Sequence, residues 1–456
     1  MAVHFFRFGI HSKGNEINLS NVDKKRYKYG KLLIFACFFL YTASMAAKGV
    51  FAAQIKYIVD MWNLEYAKAS MSNTFYFVAY GLVQVGLFFL IKKISMRRYL
   101  LVTVPVAAIS TALIGVATKI EHIWIYFGIS GAFQAGIYCG CNLLLTRYLP
   151  LKLMSTANTI MNLGYASGTL VAYGMSALFI GLNAWFMPYF IIAGIFMASI
   201  FTFGVIVLIA RRFAKINGML DRKLIDDSKN KQEKSIDDRD PLIRVHTRKD
   251  TIIFYAVDLV MAFLITSLYY CVMNYISSLL VDVHGMSQDV SIYVSMIAPV
   301  TIALGPMLVI RSCDKHKDFI RQALLFSLIL VPIPILLAFF YDSNVFVALS
   351  LTIIFIVVAN GVKAIILSVM TYKLRYEINA GAYSAISNAV ASVSAGVTPT
   401  IIGSIIDNAG WSAAYWTTFG IVMVVVACIF VIDVFVRRSY YKRHNVENPY
   451  KKKKTA

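Results

Sequence analysis

The chain has 456 residues, of which 59% are hydrophobic and only 15% are charged, and its mean hydropathy is +0.68. Soluble globular proteins contain roughly 45–50% apolar and 25% charged residues, so this composition excludes a soluble globular protein. The formal net charge of +21 arises from 44 Lys and Arg residues against 23 Asp and Glu residues.

Apolar runs of about 20 residues or more, each able to cross a hydrocarbon core of roughly 30 Å, recur along the whole chain. They predict twelve transmembrane helices, at 32–54, 71–91, 99–118, 123–146, 153–180, 185–210, 251–281, 288–310, 319–341, 345–372, 383–406 and 412–436. We therefore expect an all-α membrane protein whose surroundings are the lipid bilayer.

The positions of Lys and Arg indicate the orientation of these helices. If the N-terminus is cytoplasmic, the loops on the opposite side contain only Lys56, Lys68 and Lys119. Because basic residues are enriched in cytoplasmic loops, both termini are expected in the cytoplasm, with the chain in the plasma membrane. The basic residues 451–454 are expected to meet solvent or anionic lipid headgroups rather than nucleic acid.

A polar stretch divides the predicted helices into two sets of six. It is rich in Lys, Asp, Asn and Gln, so it cannot bury a core and is interpreted as a flexible tether. The predicted units are a cytoplasmic N-terminal segment (1–31), an N-terminal six-helix half (32–210), a cytoplasmic linker loop (211–250), a C-terminal six-helix half (251–436) and a basic tail (437–456).

Lys48 is the most informative single residue, because it lies near the middle of a predicted span that contains no acidic residue. A cation at membrane depth costs at least a few kcal/mol and by default marks a functional site. Tyr41 and Ser44 precede it at helical spacing and share its face. A transported anion is the simplest partner for the charge, and a purely structural lysine is the alternative.

Polar residues at helical spacing occur in five further spans. They are Tyr76, Tyr80 and Gln84; Gln134, Tyr138 and Asn142; Asn158, Asn162, Tyr165 and Thr169; Ser267, Tyr270, Asn274 and Ser277; and Asn360 with Lys363. Since polar side chains avoid lipid, these faces together predict a polar cavity through the helices. For any single residue, a bond to a neighbouring helix is the alternative.

Several short segments are similar to those of one known family. They are residues 38–51, Ala79-Tyr80-Gly81, Gly131-Ala132-Phe133-Gln134, Asn162-Leu163-Gly164-Tyr165, Ala380-Gly381, Gly403 with Asp407, and Gly410-Trp411. On these segments the chain resembles the organophosphate:anion antiporter branch of the major facilitator superfamily, whose best-known members exchange glycerol-3-phosphate or hexose-6-phosphate for phosphate. The resemblance runs through nearly all the membrane portion and implies two six-helix halves that rock around a site near mid-membrane.

The resemblance also implies roles for pocket residues. Lys48 stands where the family has an arginine that contacts substrate phosphate, and Tyr138 matches its aromatic residue in span 4. Three other basic ligands of the family are replaced, by Tyr269, Gln84 and Tyr165. A phosphate dianion needs several donors, best supplied by guanidinium groups, so the replacements argue against a phosphate ester bound in the family's usual way.

Lys363, in span 10, is the candidate for a second cation from the other half. One cation in each half would let an anion bridge the halves and drive closure. In the alternative, Lys363 faces backbone carbonyls or extends toward the cytoplasmic surface. The remaining predicted substrate contacts are Tyr41, Asn162, Tyr270 and Asn274.

The superfamily's gating motif, G-x-x-x-D-R/K between spans 2 and 3, is altered in this sequence. Its position holds Arg97-Arg98 without the acid, whereas the second-half copy retains Asp314-Lys315. The resemblance implies that these four residues gate and orient the helices and do not choose the substrate.

The expected function is secondary active transport of a small organic anion, such as a phosphate ester or a carboxylate, by alternating access. The clearly embedded acid is Asp258, near the cytoplasmic start of span 7, a place typical of a helix-terminal or loop partner. Proton-coupled carriers usually place acids in their spans, so exchange or facilitated uptake is favoured over proton symport.

Two alternatives stay open: a permease for a neutral, zwitterionic or drug-like solute, and a transporter-like membrane sensor. An enzyme is not expected, because the sequence has no P-loop, nucleophile elbow or paired in-membrane carboxylates. No cofactor or metal is expected, since Cys139 and Cys141, two apart on a helix, do not face each other. We expect a monomer.

Overall fold

The computed structural model describes residues 21–90, 94–149, 151–216, 248–302, 304–316, 319–370 and 380–433, and within them every regular element is helical. Residues 1–20, most of the predicted linker (217–247) and the predicted tail (437–456) lie outside the described residues. The helices are α1 Asn21–Trp62, α2 Tyr66–Leu90, α3 Met96–Ile114, α4 Ile120–Gln134, α5 Ile137–Tyr148, α6 Leu151–Gly181, α7 Met187–Ile216, α8 Arg248–Met273, α9 Ile276–Asp282, α10 Gln288–Ser295, α11 Ile297–Ile302, α12 Leu304–His316, α13 Phe319–Leu330, α14 Pro332–Phe340, α15 Val345–Ala364, a π-helix Ile365–Met370, and α16 Ala380–Val431.

Nine segments of the described chain are long and apolar enough to cross a membrane. An isolated stretch of backbone in lipid must satisfy its own hydrogen bonds, which a helix does within one segment. The prediction of an all-α membrane protein is confirmed at this level.

Several predicted spans are interrupted rather than continuous. The fourth span divides into α4 and α5 after Gln134, and the seventh divides into α8 and α9 at Asn274. Pro332 begins α14 because proline has no amide hydrogen to continue the ladder of α13. A pattern of apolar residues does not predict breaks of this kind within a span.

The eleventh and twelfth predicted spans lie in α16, which is 52 residues long. Its backbone leaves the helical conformation at Gly410, where φ is 80° and ψ is 177°. Only glycine adopts these backbone dihedral angles without a steric cost, so Gly410 allows the chain to change direction between the two spans.

The helices before and after the 217–247 segment pack against one another at three places. We call α1–α7 the N-terminal bundle and α8–α16 the C-terminal bundle. Between them, α2 packs against α16, α6 against α10 and α11, and α1 against α9 and α10. Buried apolar side chains form one cluster that extends through both bundles. A space is left where α1, α2, α5, α6, α8, α15 and α16 face one another.

Candidate functional site

The space between the bundles is a central cavity of about 230 Å³. Its lining residues are Tyr41, Met45 and Lys48 of α1; Tyr76, Phe77, Tyr80 and Gln84 of α2; Tyr138 of α5; Tyr165 of α6; Thr266 and Tyr270 of α8; Lys363 of α15; Leu367 of the π-helix; and Asn388, Ala391, Ser392 and Ala395 of α16. Both bundles therefore contribute to one site, as alternating access requires.

Lys48 enters the cavity from the N-terminal bundle and reaches the C-terminal bundle. Its Nζ donates a hydrogen bond to the Tyr270 hydroxyl at 3.2 Å. The same nitrogen lies 4.5 Å from the centroid of the Phe77 ring and 5.6 Å from that of Tyr165. Ring faces attract a cation through their quadrupole, so these contacts stabilise the ammonium group without neutralising it.

Lys363 enters the same cavity from the C-terminal bundle. Its Nζ lies 4.8 Å from the Tyr269 ring centroid and 5.5 Å from that of Tyr270. Lys363 stands in the last turn of α15, immediately before the π-helix Ile365–Met370, a rare element that occurs frequently at functional sites.

The two lysines share the Tyr270 ring, whose centroid is 5.7 Å from the Lys48 nitrogen and 5.5 Å from the Lys363 nitrogen. Among the described residues, the lining of the cavity contains no carboxylate and neither lysine forms a salt bridge. Two like charges close together in a poorly solvated space are unfavourable unless an anion joins them. The site is thus electrostatically suited to an anionic ligand.

Seven of the predicted substrate contacts line the cavity: Tyr41, Lys48, Gln84, Tyr138, Tyr165, Tyr270 and Lys363. Tyr269 is buried under Lys363 and is not part of the lining. Asn274 is buried at the break between α8 and α9, about one helical turn beyond Tyr270, and is not among the described lining residues. The side chain of Asn162 is outside the described part of the structure.

The predicted gating residues are described only in part. Arg97 is half-buried and Arg98 is exposed, both in the first turn of α3. Asp314 and Lys315 lie in α12, and their side chains are outside the described part. Their role in gating stays a prediction.

Several lining residues are not among the contacts that the sequence predicts. Phe77 is missed because an apolar ring gives no polar signal, although it is the ring in closest contact with Lys48. Asn388 and Ser392, four residues apart on α16, carry a usable signal, since helical spacing puts them on one face. Tyr76 and Tyr80 belong to a predicted polar face but not to the predicted contacts.

A second polar cluster joins the bundles at one end of the cavity. We call Lys56, Asp60, Tyr66, Asp282 and Gln288 the closed-end cluster. Lys56 Nζ lies 2.6 Å from Asp60 and 2.7 Å from Asp282, the Tyr66 hydroxyl donates to Asp282 at 2.7 Å, and the Gln288 side-chain amide donates to Asp60 at 2.7 Å. Lys56 is eight residues after Lys48, or ~12 Å along α1 at 1.5 Å per residue.

Asp407 of α16 adds a backbone contact beside this cluster. Its carboxylate accepts hydrogen bonds from the amides of Tyr66 at 3.0 Å and Ala67 at 2.9 Å, the first two residues of α2. The first amides of a helix have no partner within it, and the helix dipole favours a negative charge there. A residue of one bundle therefore caps a helix of the other.

No group of His, Cys, Asp and Glu among the described residues could hold a metal ion.

This chain matches a family model and several solved structures. A family model described as Major Facilitator Superfamily matches residues 34–377. A comparison with curated proteins finds no significant match.

Solved structures are similar in fold. A mutant of the nucleoside transporter NupG has a TM-score of 0.65 and 13% sequence identity, over 88% of this chain and 99% of that chain. A bacterial homologue of the human lysosomal transporter Spinster, in an inward-facing and occupied conformation, has a TM-score of 0.61 and 15% identity, over 92% of this chain and 97% of that chain. At these identities the similarity concerns the fold.

Proposed function

This chain belongs to the Major Facilitator Superfamily, a superfamily of membrane transporters, and on that premise we propose that it moves a small organic anion across the plasma membrane by alternating access. The observation that carries the proposal is the pair Lys48 and Lys363, one from each bundle, which line one cavity without a carboxylate among the lining residues. An anion bound between them is attracted by both bundles at once.

The type of the cations favours a carboxylate over a phosphate dianion. Each ammonium is a compact charge with three donors. Guanidinium groups bind phosphate through two parallel hydrogen bonds, and the described lining residues include none. A carboxylate needs fewer donors than a phosphate dianion. A carboxylate therefore fits this site better than the phosphate esters of the organophosphate:anion antiporters.

Twelve transmembrane helices are part of the proposal. Gly410 divides the 46-residue apolar segment Ile386–Val431 into two spans. Adding α2 and the α4–α5 pair to the nine apolar segments then brings the total to twelve. The units are those expected from the sequence, with halves 32–210 and 251–436 and a linker at 211–250.

Both termini are assigned to the cytoplasm, following the distribution of Lys and Arg. Lys56 then lies at the extracytoplasmic end of α1, and the closed-end cluster seals the cavity from that side. Opening of this cluster, with closure of the cytoplasmic ends, would carry the anion across.

The test uses the purified full chain and a panel of probes: glycerol-3-phosphate, butyrate, 3-phenylpropionate and the uncharged 3-phenylpropanol. Affinity is measured by thermal stabilisation and by calorimetry, and transport of the tightest probe by counterflow in liposomes. We expect an anion to bind, and Lys48→Ala to weaken it about tenfold or more because a hydrogen bond to a charged group is lost. Lys48→Arg should retain part of the affinity.

The matched control is Lys68→Ala, because Lys68 is half-exposed and pairs with Glu121 at 3.3 Å on the surface. It should leave binding unchanged. Unchanged binding of every anion by Lys48→Ala, or stabilisation by 3-phenylpropanol alone, would refute anion transport and favour a permease for uncharged solutes.

A further inference from the structure

The wall of the cavity has a chemistry beyond its charge, because aromatic rings form much of it. The Tyr41 and Tyr138 rings lie 5.1 Å apart between centroids, and Tyr80 and Tyr165 line the same space. All four side chains are only partly buried although the rings behind them are packed, so each keeps surface open to the cavity. A ligand in this space is in contact with tyrosine rings on several sides.

Two of the open rings lie further along the cavity than Lys48, whereas the Tyr165 ring lies 5.6 Å from the Lys48 nitrogen. On α1, Tyr41 precedes Lys48 by seven residues, which separates them by about 10 Å along the helix axis. On α2, the ring in contact with Lys48 belongs to Phe77, and Tyr80 lies one helical turn further along. The cavity therefore has a cationic level, at Lys48 and Lys363, and an aromatic level, at Tyr41 and Tyr80.

We propose that the transported anion is an aromatic monocarboxylate, in which a short spacer joins one ring to the carboxylate. The inference rests on the proposed function of the same site. The carboxylate lies between Lys48 and Lys363, and the ring packs against Tyr41 and Tyr138. The separation of about 10 Å is between backbone positions, and the Lys48 side chain covers part of it, so a short spacer is enough to join the ring to the carboxylate.

The size of the cavity agrees with this class of ligand. A cavity of about 230 Å³ has room for a small organic ligand. One ring with a short acidic side chain is of this size. The tyrosine hydroxyls at its border can also accept or donate hydrogen bonds to a hydroxylated ring.

The geometry favours an aromatic ring over a saturated one. Aromatic pairs prefer centroid distances of roughly 4.5–7 Å in tilted or edge-to-face arrangements. The Tyr41–Tyr138 pair, tilted by 47°, and the Phe77–Tyr270 pair, at 5.3 Å and 74°, already show this packing. A flat ligand ring extends it, while a puckered cyclohexyl ring of similar area loses the edge-to-face contacts.

The test compares three ligands of nearly the same shape on the full chain: 3-phenylpropionate, 3-cyclohexylpropionate and 3-phenylpropanol. Calorimetry gives the dissociation constant of each. We expect 3-phenylpropionate to bind about threefold to tenfold more tightly than the cyclohexyl acid, which reports the ring contacts. We expect 3-phenylpropionate to bind at least about tenfold more tightly than the alcohol, and this difference reports the charge.

Two variants separate the ring contacts from folding. Tyr138→Leu removes a ring and should bring the ratio between the phenyl and cyclohexyl acids close to one, whereas Tyr138→Phe keeps the ring and should preserve the ratio. Tyr293→Leu is the matched control, since Tyr293 is an exposed tyrosine outside the cavity. In this variant, the ratio between the dissociation constants of the phenyl and cyclohexyl acids should equal that of the unmodified chain.

Equal affinity for the phenyl and cyclohexyl acids would overturn the aromatic class, and so would a ratio that Tyr138→Leu leaves unchanged. In either case anion transport itself stands as long as Lys48→Ala weakens both acids. If Lys48→Ala weakens neither acid, the proposed function fails and the aromatic class fails with it.

Discussion

At the scale of single residues, Tyr270 connects the two cations of the cavity. Its hydroxyl accepts the hydrogen bond of Lys48, and its ring lies beside Lys363. A neutral side chain thus links two positive charges from different bundles. Because none of these contacts neutralises a charge, the attraction for an anion is preserved until the ligand arrives.

Asp258 of α8 is a second unusual residue. It is fully buried, and neither carboxylate oxygen has a hydrogen-bond partner in the described part of the chain. The sequence suggests a helix-terminal or loop partner for this acid, and the described residues provide none. An ionised carboxylate in such a place is costly, and an amide of the same shape is less so.

We therefore expect Asp258→Asn to fold and to melt at the same temperature as the unmodified chain or above it. The measurement is thermal unfolding of both proteins in the same detergent. Asp60→Asn is the comparison, because Asp60 is paired with Lys56 and Gln288 and its loss should lower the melting temperature. A clear drop in melting temperature for Asp258→Asn would reveal a charged partner of this carboxylate.

At the scale of elements, α2 connects the cavity with its closed end. Its first turn is held by Asp407, and its later turns supply Phe77, Tyr80 and Gln84 to the cavity. A movement of α16 that withdraws the carboxylate would leave the first amides of α2 without a partner. The cap therefore couples the position of α16 to the order of α2.

Asp407→Ala should destabilise this contact by about 1 kcal/mol, the usual effect of losing a helix cap. The expected result is faster hydrogen exchange of the amides in residues 66–70, measured by mass spectrometry. Asn344→Ala is the control, since Asn344 caps α15 within one bundle by accepting from the Phe346 amide at 2.8 Å. It should speed exchange at the start of α15 alone, and unchanged exchange at 66–70 in Asp407→Ala would contradict the coupling.

At the scale of the whole molecule, the closed-end cluster joins the two bundles beyond the cavity. Its ion pair between Lys56 and Asp282 joins α1 to α9, and the two side chains are only 14% and 22% exposed. Hydrogen bonds between charged partners in such places are stronger than exposed ones, and removing one partner leaves the other unpaired. We therefore expect these contacts to favour the state in which this end is closed.

Asp282→Asn should shift the population toward opening at this end. The reporter is Ser278→Cys, in a chain without the native cysteines, because the Ser278 side chain is fully buried beside the cluster. We expect labelling by a membrane-impermeant maleimide to accelerate about tenfold, as the loss of one charge-assisted contact implies.

Glu121→Gln is the matched control, because it breaks an exposed ion pair with Lys68 inside the N-terminal bundle. It should leave the labelling rate of the Ser278→Cys reporter unchanged. Equal rates for Asp282→Asn and Glu121→Gln would show that the cluster does not hold this end closed.

The sequence by itself determined the helical membrane architecture, because long apolar helices satisfy their own backbone hydrogen bonds in lipid. It also indicated that Lys48 lies at a site, since an unpaired cation in an apolar span is costly and is therefore rare without a functional role. Helical spacing put Tyr41 on the face of Lys48, and both indeed line the cavity.

Only the tertiary structure decided which residues of different helices meet. From the sequence, the Lys363 side chain could equally extend toward the cytoplasmic surface or contact the substrate. Its place beside the Tyr269 and Tyr270 rings follows from the packing of α15 against α8. The sequence indicated Asp407 as one of the positions that the chain shares with the family it resembles. It could not show that Asp407 caps α2, because this residue and the first turn of α2 are far apart in sequence. Periodicity reports the face of one helix, whereas a binding site arises from the way faces of several helices are brought together.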